Sequence, residues 1–328
     1  MPAVMRSPAL SLRPAAGRGK ARARRLQEKA ISIAVTLVGL SGLAALLLIV
    51  VFVGREALPL FFDDEMSLSR LFLPQVARAG RAPTFTWQPV GAIPKVSMIP
   101  LLVGTLKVTL VAMTFAVPIA IAAALFTAQF ASRRVREVLK PVIELLAGIP
   151  SVVLGFFALM TLADWAQGAL GLPSRLNALV AGVAMAIAII PVIFTVAEDA
   201  LTAVPASFRE ASLALGATRW ETAWRVVLPA AAPGVFAACV LGLGRAVGET
   251  MIVLMASGNA AIVSASLTDS TRTTSATIAA EMGEVVFGGT HWSVLFFIGV
   301  LLFAITLVLN LLAAAFVRRA TRRLGGKS

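Results

Sequence analysis

Six apolar runs, each near the length needed to cross a bilayer, constrain this chain more than anything else in it. They fall at 30–53 and at about 99–128, 139–163, 177–198, 230–256 and 292–317. A helix rises about 1.5 Å per residue, so about 20 apolar residues cross ~30 Å of hydrocarbon. Lipid offers the backbone no hydrogen-bond partners, which leaves the helix as the form such runs can take. The fold class expected is therefore all-α: a polytopic membrane protein with six transmembrane helices. Of 328 residues, 59% are hydrophobic and only 14% charged, where a soluble domain carries roughly a quarter charged residues.

The net charge of +13 reads as topology. The cations sit between the apolar runs, no aromatic-interleaved basic patch occurs, and nucleic-acid binding is set aside. With both termini inside, the inner segments carry Arg133, Arg134, Arg136 and Lys140, then Arg209, Arg219 and Arg225, then Arg318, Arg319, Arg322, Arg323 and Lys327. The second and third outer segments carry Arg175 and Arg272 respectively. The longer first outer segment holds Arg55, Arg70, Arg78, Arg81 and Lys95, but long loops weigh little in this bias. Both termini are thus expected in the cytoplasm of a bacterial inner-membrane protein.

Residues 1–29 read as a disordered basic cytoplasmic tail, 30–53 as the first span and 54–98 as a proline-punctuated periplasmic loop. Residues 99–317 read as one membrane core with a cytoplasmic loop at 205–229, and 318–328 as a second cytoplasmic tail. A further outer loop is expected at 257–291.

Several tempting motifs fail. Gly325-Gly326-Lys327-Ser328 ends like a phosphate-binding loop, but the required first glycine falls at Thr321. Gly242, Gly244 and Gly248 imitate a dinucleotide loop with the last glycine one place late, inside an apolar run where glycines serve close helix packing. The lone Cys239 and lone His291 exclude an internal disulfide and a Cys/His zinc cluster. His291, beside Trp292, reads as an interfacial residue. The chain is expected to be no enzyme and to bind no cofactor itself; any ATP and Mg belong to a partner.

The loop at 205–229 carries the most information. Its sequence predicts a short helix from Pro205, a break at Gly216 and a second short helix ended by Pro229. Phe208, Ala211, Leu213 and Leu215 give the first helix an apolar side suited to a groove on a partner, and Glu210 falls in its first turn. Glu210-Ala211-Ser212, then Gly216, then Val226 and Leu228-Pro229, resembles the EAA loop of ABC importer permeases. That family has Ala in place of Ser212 and often Ile in place of Val226. The resemblance implies a coupling helix that inserts into an ATPase subunit.

In the fifth run, Arg245 and Glu249 stand four apart, so on a continuous helix they share one face and partly neutralise each other. An arginine there costs about 2.5–3.5 kcal/mol on insertion scales, so such charges face a protein interior or a solute path. A structural lock and a solute contact both remain open. The segment 244–251, from Gly244-Arg245 through Glu249-Thr250-Met251, together with 271–278, resembles the phosphate branch of the ABC importer permeases, PstC-type. Gly104-Thr105-Leu106 and 146–151 fit the same branch.

That resemblance implies Arg245, Glu249 and Thr250 in the substrate path. The partners it implies are a PstA-type second permease, two PstB-type ATP-binding subunits and a periplasmic or surface phosphate-binding protein. Two rivals stay in view: a permease for sulfate, molybdate or phosphonate, and an ATP-independent secondary transporter. Lesser candidates are Lys107, read as snorkelling outward; Glu144, read as pairing with Arg136 or Lys140; Glu198-Asp199, read as interfacial; and Asn310, read as a hydrogen bond between helices.

Overall fold

The computed structural model describes residues 17–62, 68–76, 83–90 and 94–324. Helix α1 (Gly17–Ala57) begins inside the stretch expected to be a disordered tail; residues 1–16 of that tail lie outside the described residues, as do residues 325–328. A 3-10 turn (Leu58–Phe61) and α2 (Leu68–Phe72) follow. Two short antiparallel pairs come next, β1 (Gln75–Val76) with β2 (Pro83–Thr84) and β3 (Trp87–Gln88) with β4 (Lys95–Val96). The expected prolines do break the segment into short pieces.

Then come α3 (Ile99–Gln129), α4 (Arg133–Ala147), α5 (Ser151–Phe157), α6 (Ala163–Leu170) and α7 (Ala178–Thr202). They are followed by α8 (Ala206–Ala214), α9 (Arg219–Thr222), α10 (Leu228–Gly248), α11 (Met251–Ala256), α12 (Thr274–Glu281) and α13 (Thr290–Leu324). Single π-helical turns join α5 to α6 (Ala158–Leu162) and α9 to α10 (Ala223–Val227). Among the described residues, six helical stretches are long and apolar enough to cross a membrane: Gln27–Phe61, Ile99–Gln129, Ser151–Leu170, Ala178–Thr202, Arg219–Gly248 and Thr290–Arg319. The all-α, six-span class is as expected.

Of the described residues, those up to Phe52 form one unit and those from Val53 a second. In the second unit α7 is the central helix, packed on α3 and α10, and its buried face is lined with alanines and isoleucines. Small residues set the spacing. A β-carbon at Gly182 would fall 2.5 Å from Val111, and one at Gly242 would fall 2.6 Å from Ile193. Gly242 is thus a packing glycine. With no hydrophobic drive between helices in lipid, such close approach is what holds them.

The third apolar run does not map onto one helix. No residue of α4 is buried, and its charges and apolar residues lie on opposite faces. Ser132 caps its start by accepting the Val135 amide, 3.4 Å away. The span proper starts only at Ser151, because Pro150 disfavours helical backbone at Ile149 and itself sits extended at φ −58°, ψ 135°. The run therefore joined the apolar face of a surface helix to the start of a span.

The expected outer loop at 257–291 is exposed at Ile262, Val263, Leu267, Val286 and Phe287, but its middle is drawn inward. Thr271, Thr273, Thr274 and Thr277 are buried, and α12 packs between α3, α11 and α13. The Thr274 amide and hydroxyl both meet the Thr105 hydroxyl of α3, at 3.1 and 3.0 Å. Gly104 makes this possible: a β-carbon there would lie 2.1 Å from the Arg272 carbonyl oxygen and 2.6 Å from Thr271 Oγ1.

Candidate functional site

The loop at 205–229 folds as two helices about Gly216, whose φ of +86° is the left-handed turn the break requires. Pro205 caps α8. Thr218 and Glu221 form a reciprocal capping box at α9, the Thr218 hydroxyl accepting the Glu221 amide and the Glu221 carboxylate accepting the Thr218 amide. Ser212 and Thr222, both buried, bond hydroxyl to hydroxyl at 2.9 Å and tie the two helices together. Phe208, Leu213 and Leu215 remain exposed, with Leu215 at 89%. Glu210 and Ala211 share that exposure. Trp220 stacks on Trp224 with centroids 6.1 Å apart and lies 6.0 Å from Phe130, just past the end of α3.

Pro229 does not end the second helix. The stretch Arg219–Gly248 runs on as the fifth span, with Leu228 and Pro229 in the first turn of α10. A proline cannot donate, but the preceding π-helical turn resets the hydrogen-bond register, so Pro229 is accommodated as at a helix start.

The Arg245–Glu249 pair is the main departure from expectation. Helix α10 stops at Gly248, and Glu249 is extended at φ −66°, ψ 132° before α11 begins at Met251. The two side chains are thus not i and i+4 on one helix face, and no ion pair joins them among the described residues. Two flanking positions explain the break: Gly248 is weakly helical, and the Thr250 hydroxyl donates to the Gly248 carbonyl at 3.2 Å, competing with the helical ladder. Glu249 Oε1 accepts the Thr250 amide at 3.2 Å, and its carbonyl accepts the Ser275 hydroxyl at 2.7 Å. Arg245 Nε is buried without a hydrogen-bond partner among the described residues. A guanidinium and a carboxylate therefore flank a helix joint rather than cancelling each other.

The lesser candidates also move. Lys107 does not snorkel: it is 8% exposed, and its Nζ has no partner among the described residues. Glu144 is exposed and does not meet Arg136 or Lys140, whose ion pairs go to Glu198 and Asp199. Glu198, near the end of α7 as expected, is buried within the protein at 3% exposure, while Asp199 beside it is exposed. Asn310 is exposed in a cleft with Val196, Ala237 and Leu241, and it forms no interhelical bond among the described residues.

Sequence reasoning missed one cluster. Glu281 Oε1 accepts from Trp87 Nε1 at 3.0 Å and is ion-paired with Arg272 Nη1 at 2.8 Å, and His291 Nε2 lies 2.9 Å from its other oxygen. Burial alone would raise the Glu281 carboxyl, but the bonds from His291 and Trp87 and the Arg272 charge outweigh it and hold it below the usual carboxylate range. The residues stand 194 and 10 positions apart, with no period to announce them.

Residues 116–322 match the family described as the binding-protein-dependent transport system inner membrane component. The chain is 33% identical over 289 residues to the probable ABC transporter permease protein YqgH of Bacillus subtilis, covering 88% of this chain and 90% of that protein. It is 33% identical over 302 residues to the phosphate transport system permease protein PstC of Mesorhizobium japonicum, covering 86% and 89%. A second such protein, PstC 1 of Mycobacterium tuberculosis, is 36% identical over 256 residues, covering 71% and 75%. Among solved folds, the MetNI methionine ABC transporter in an inward-facing conformation is similar with a TM-score of 0.53 at 22% identity, covering 67% of this chain and 94% of that one. Six apolar helices, an exposed two-helix loop ahead of the fifth span and these matches converge: the chain belongs to the inner membrane components of binding-protein-dependent transport systems, as a multi-pass permease subunit of the ABC importer class.

Proposed function

We propose that this chain is the permease subunit through which inorganic phosphate crosses the membrane, driven by ATP hydrolysed, with Mg, on two PstB-type partner subunits. A PstA-type permease completes the pathway, and a phosphate-binding protein delivers the solute to the face opposite the termini, which lie in the cytoplasm. The chain itself binds no cofactor. Glu210, Ala211, Ser212, Gly216, Leu228 and Pro229 belong to the segment that meets the ATPase; Phe208, Leu213 and Leu215 give it an exposed apolar surface to insert.

The observation that carries the substrate assignment is the joint at Gly248–Thr250, with an uncommitted guanidinium on one side and a carboxylate on the other. Arg245 offers a planar fork of donors that stays charged when desolvated. Glu249 accepts a hydrogen bond from a P–OH group, and Thr250 adds a hydroxyl. Sulfate, fully ionised, brings no such proton and leaves the carboxylate facing an anion, which selects against it. The PstC names of the relatives support the same substrate.

The test is uptake of radiolabelled phosphate into proteoliposomes holding the co-expressed complex, with sulfate as competitor. ATP-dependent uptake that resists sulfate and is lost in Arg245→Ala is expected. Uptake of sulfate, molybdate or phosphonate instead would replace the substrate and keep the permease. Uptake without ATPase subunits would make the chain a secondary transporter and end the coupling assignment.

A further inference from the structure

A buried carboxylate lies just ahead of the two-helix loop. Glu198 sits in the last turn but one of α7, its side chain 3% exposed. Lys140 Nζ lies 2.9 Å from Glu198 Oε2 and 2.7 Å from Asp199 Oδ1, and Arg136 Nε lies 3.8 Å from Glu198 Oε1. The Thr202 hydroxyl donates to Glu198 Oε1 at 3.0 Å. Arg136 also donates to the carbonyls of Thr127 and Ala128 at 2.9 and 2.8 Å. Those carbonyls belong to the last turn of α3, where backbone acceptors otherwise lack partners.

Two cations of one surface helix thus fasten the ends of two core spans. Helix α4 has no fully buried residue, and Ile143 is the one of its apolar side chains that packs against the main core cluster, so its charges carry much of its attachment to the ends of α3 and α7. A carboxylate buried to this degree is retained only when paired, because an unpaired charge out of water is strongly unfavourable. The bonds to Asp199 and Glu198 hold the Lys140 ammonium above its ordinary value.

The position matters more than the strength. Only Ala203, Val204 and Pro205 separate the end of α7 from α8. A force applied to α8 reaches the spans through that short link and through the Trp220–Phe130 contact beside the end of α3. Both routes end at the two helix termini joined by Arg136, Lys140 and Glu198. If those termini slid independently, the fifth span, continuous with α9 and tied to α8 by the Ser212–Thr222 bond, would follow α8, while α3 and α7 would stay behind.

We propose that Glu198 is the positioning residue of energy coupling: clamped by Lys140 and Arg136, it locks the ends of α3 and α7 to α4, so that displacement of the two-helix loop moves the spans as a body. This rests on the reading of that loop as the segment that meets the ATPase. Glu198 touches neither substrate nor nucleotide.

The complete complex, reconstituted with its ATPase subunits and binding protein, is the system to test. Phosphate taken up per ATP hydrolysed is measured for Glu198→Gln, Lys140→Met and Lys140→Arg. Glu198→Gln and Lys140→Met are expected to keep the ATPase subunits bound and hydrolysing while the ratio falls about fivefold, and Lys140→Arg is expected to restore it. An unchanged ratio in Lys140→Met, or uptake and hydrolysis falling together, would overturn the proposal and leave a structural ion pair. If Glu198→Gln fails to assemble, the contrast of Lys140→Met with Lys140→Arg decides alone. ATP-independent uptake by the wild-type complex is a separate result: it removes the coupling reading itself, whatever the variants do.

Discussion

Ser275 donates its hydroxyl to the main-chain carbonyl of Glu249 at 2.7 Å, across 26 residues of sequence. The bond fixes one side of the joint where α10 gives way to α11, and with it the direction in which the Glu249 carboxylate leaves the backbone. A hydrogen bond of this kind contributes on the order of 1 kcal/mol net, so Ser275→Ala should lower the initial rate of phosphate uptake about fivefold. Equal rates at equal complex content would show that the joint holds its geometry without α12.

Gly104→Ala should expel the threonine segment from α3. Its methyl would fall 2.1 Å from the Arg272 carbonyl oxygen, a backbone atom that cannot swing aside. Overpacking of this type costs about 1–3 kcal/mol. The thermal midpoint of the purified complex should fall accordingly, and amides 271–277 should exchange faster; unaltered exchange would refute the contact.

Ser212 stands where the family pattern has alanine, and its hydroxyl meets Thr222 at 2.9 Å. Ser212→Ala should leave Thr222 buried and unpaired at a cost of about 1–3 kcal/mol. Thr222→Val added to it should recover most of that loss, since no polar group is then orphaned. A double-mutant cycle on the unfolding midpoint checks this, and strict additivity would mean the pair is energetically idle.

Acid should loosen the cluster around Glu281. Its carboxyl is held below the ordinary value in the folded protein, so the ionised form contributes stability above the usual glutamate range of about 4.3 and loses it as pH falls through the lowered value. Hydrogen exchange near Trp87 and Arg272 should therefore rise on acidification below that range. Glu281→Gln should exchange faster at neutral pH and lose the pH step; a step that survives the substitution would assign it to another group.

The number of spans and the two-helix loop were legible because both are written in local terms: apolar length, a glycine at a left-handed turn, and capping residues at fixed offsets; the third run was not, because it merged the apolar face of α4 with the span that starts at Ser151. Arg245 and Glu249 were legible as charges in an apolar run but not as a joint. Spacing alone assumes a continuous helix, whereas Gly248 and the Thr250 hydroxyl end it. Lys140 and Glu198 stand 58 residues apart, and their meeting depends on how α4 lies against α7, which no periodicity encodes. The burial of residues 271–277 was hidden for a related reason. Serines and threonines read as loop until each hydroxyl is seen to find a partner such as Thr105.

The Trp87–Glu281 bond also imposes an order on biosynthesis. Trp87 leaves the ribosome 194 residues before its acceptor, an interval of about 10–40 s at common elongation rates of roughly 5–20 residues per second. Through that time the β3–β4 pair has no Glu281, Arg272 or His291 to rest against. Its docking must wait until α12 and the start of α13 have been made, so closure of that face reports that the chain has been synthesised at least as far as His291.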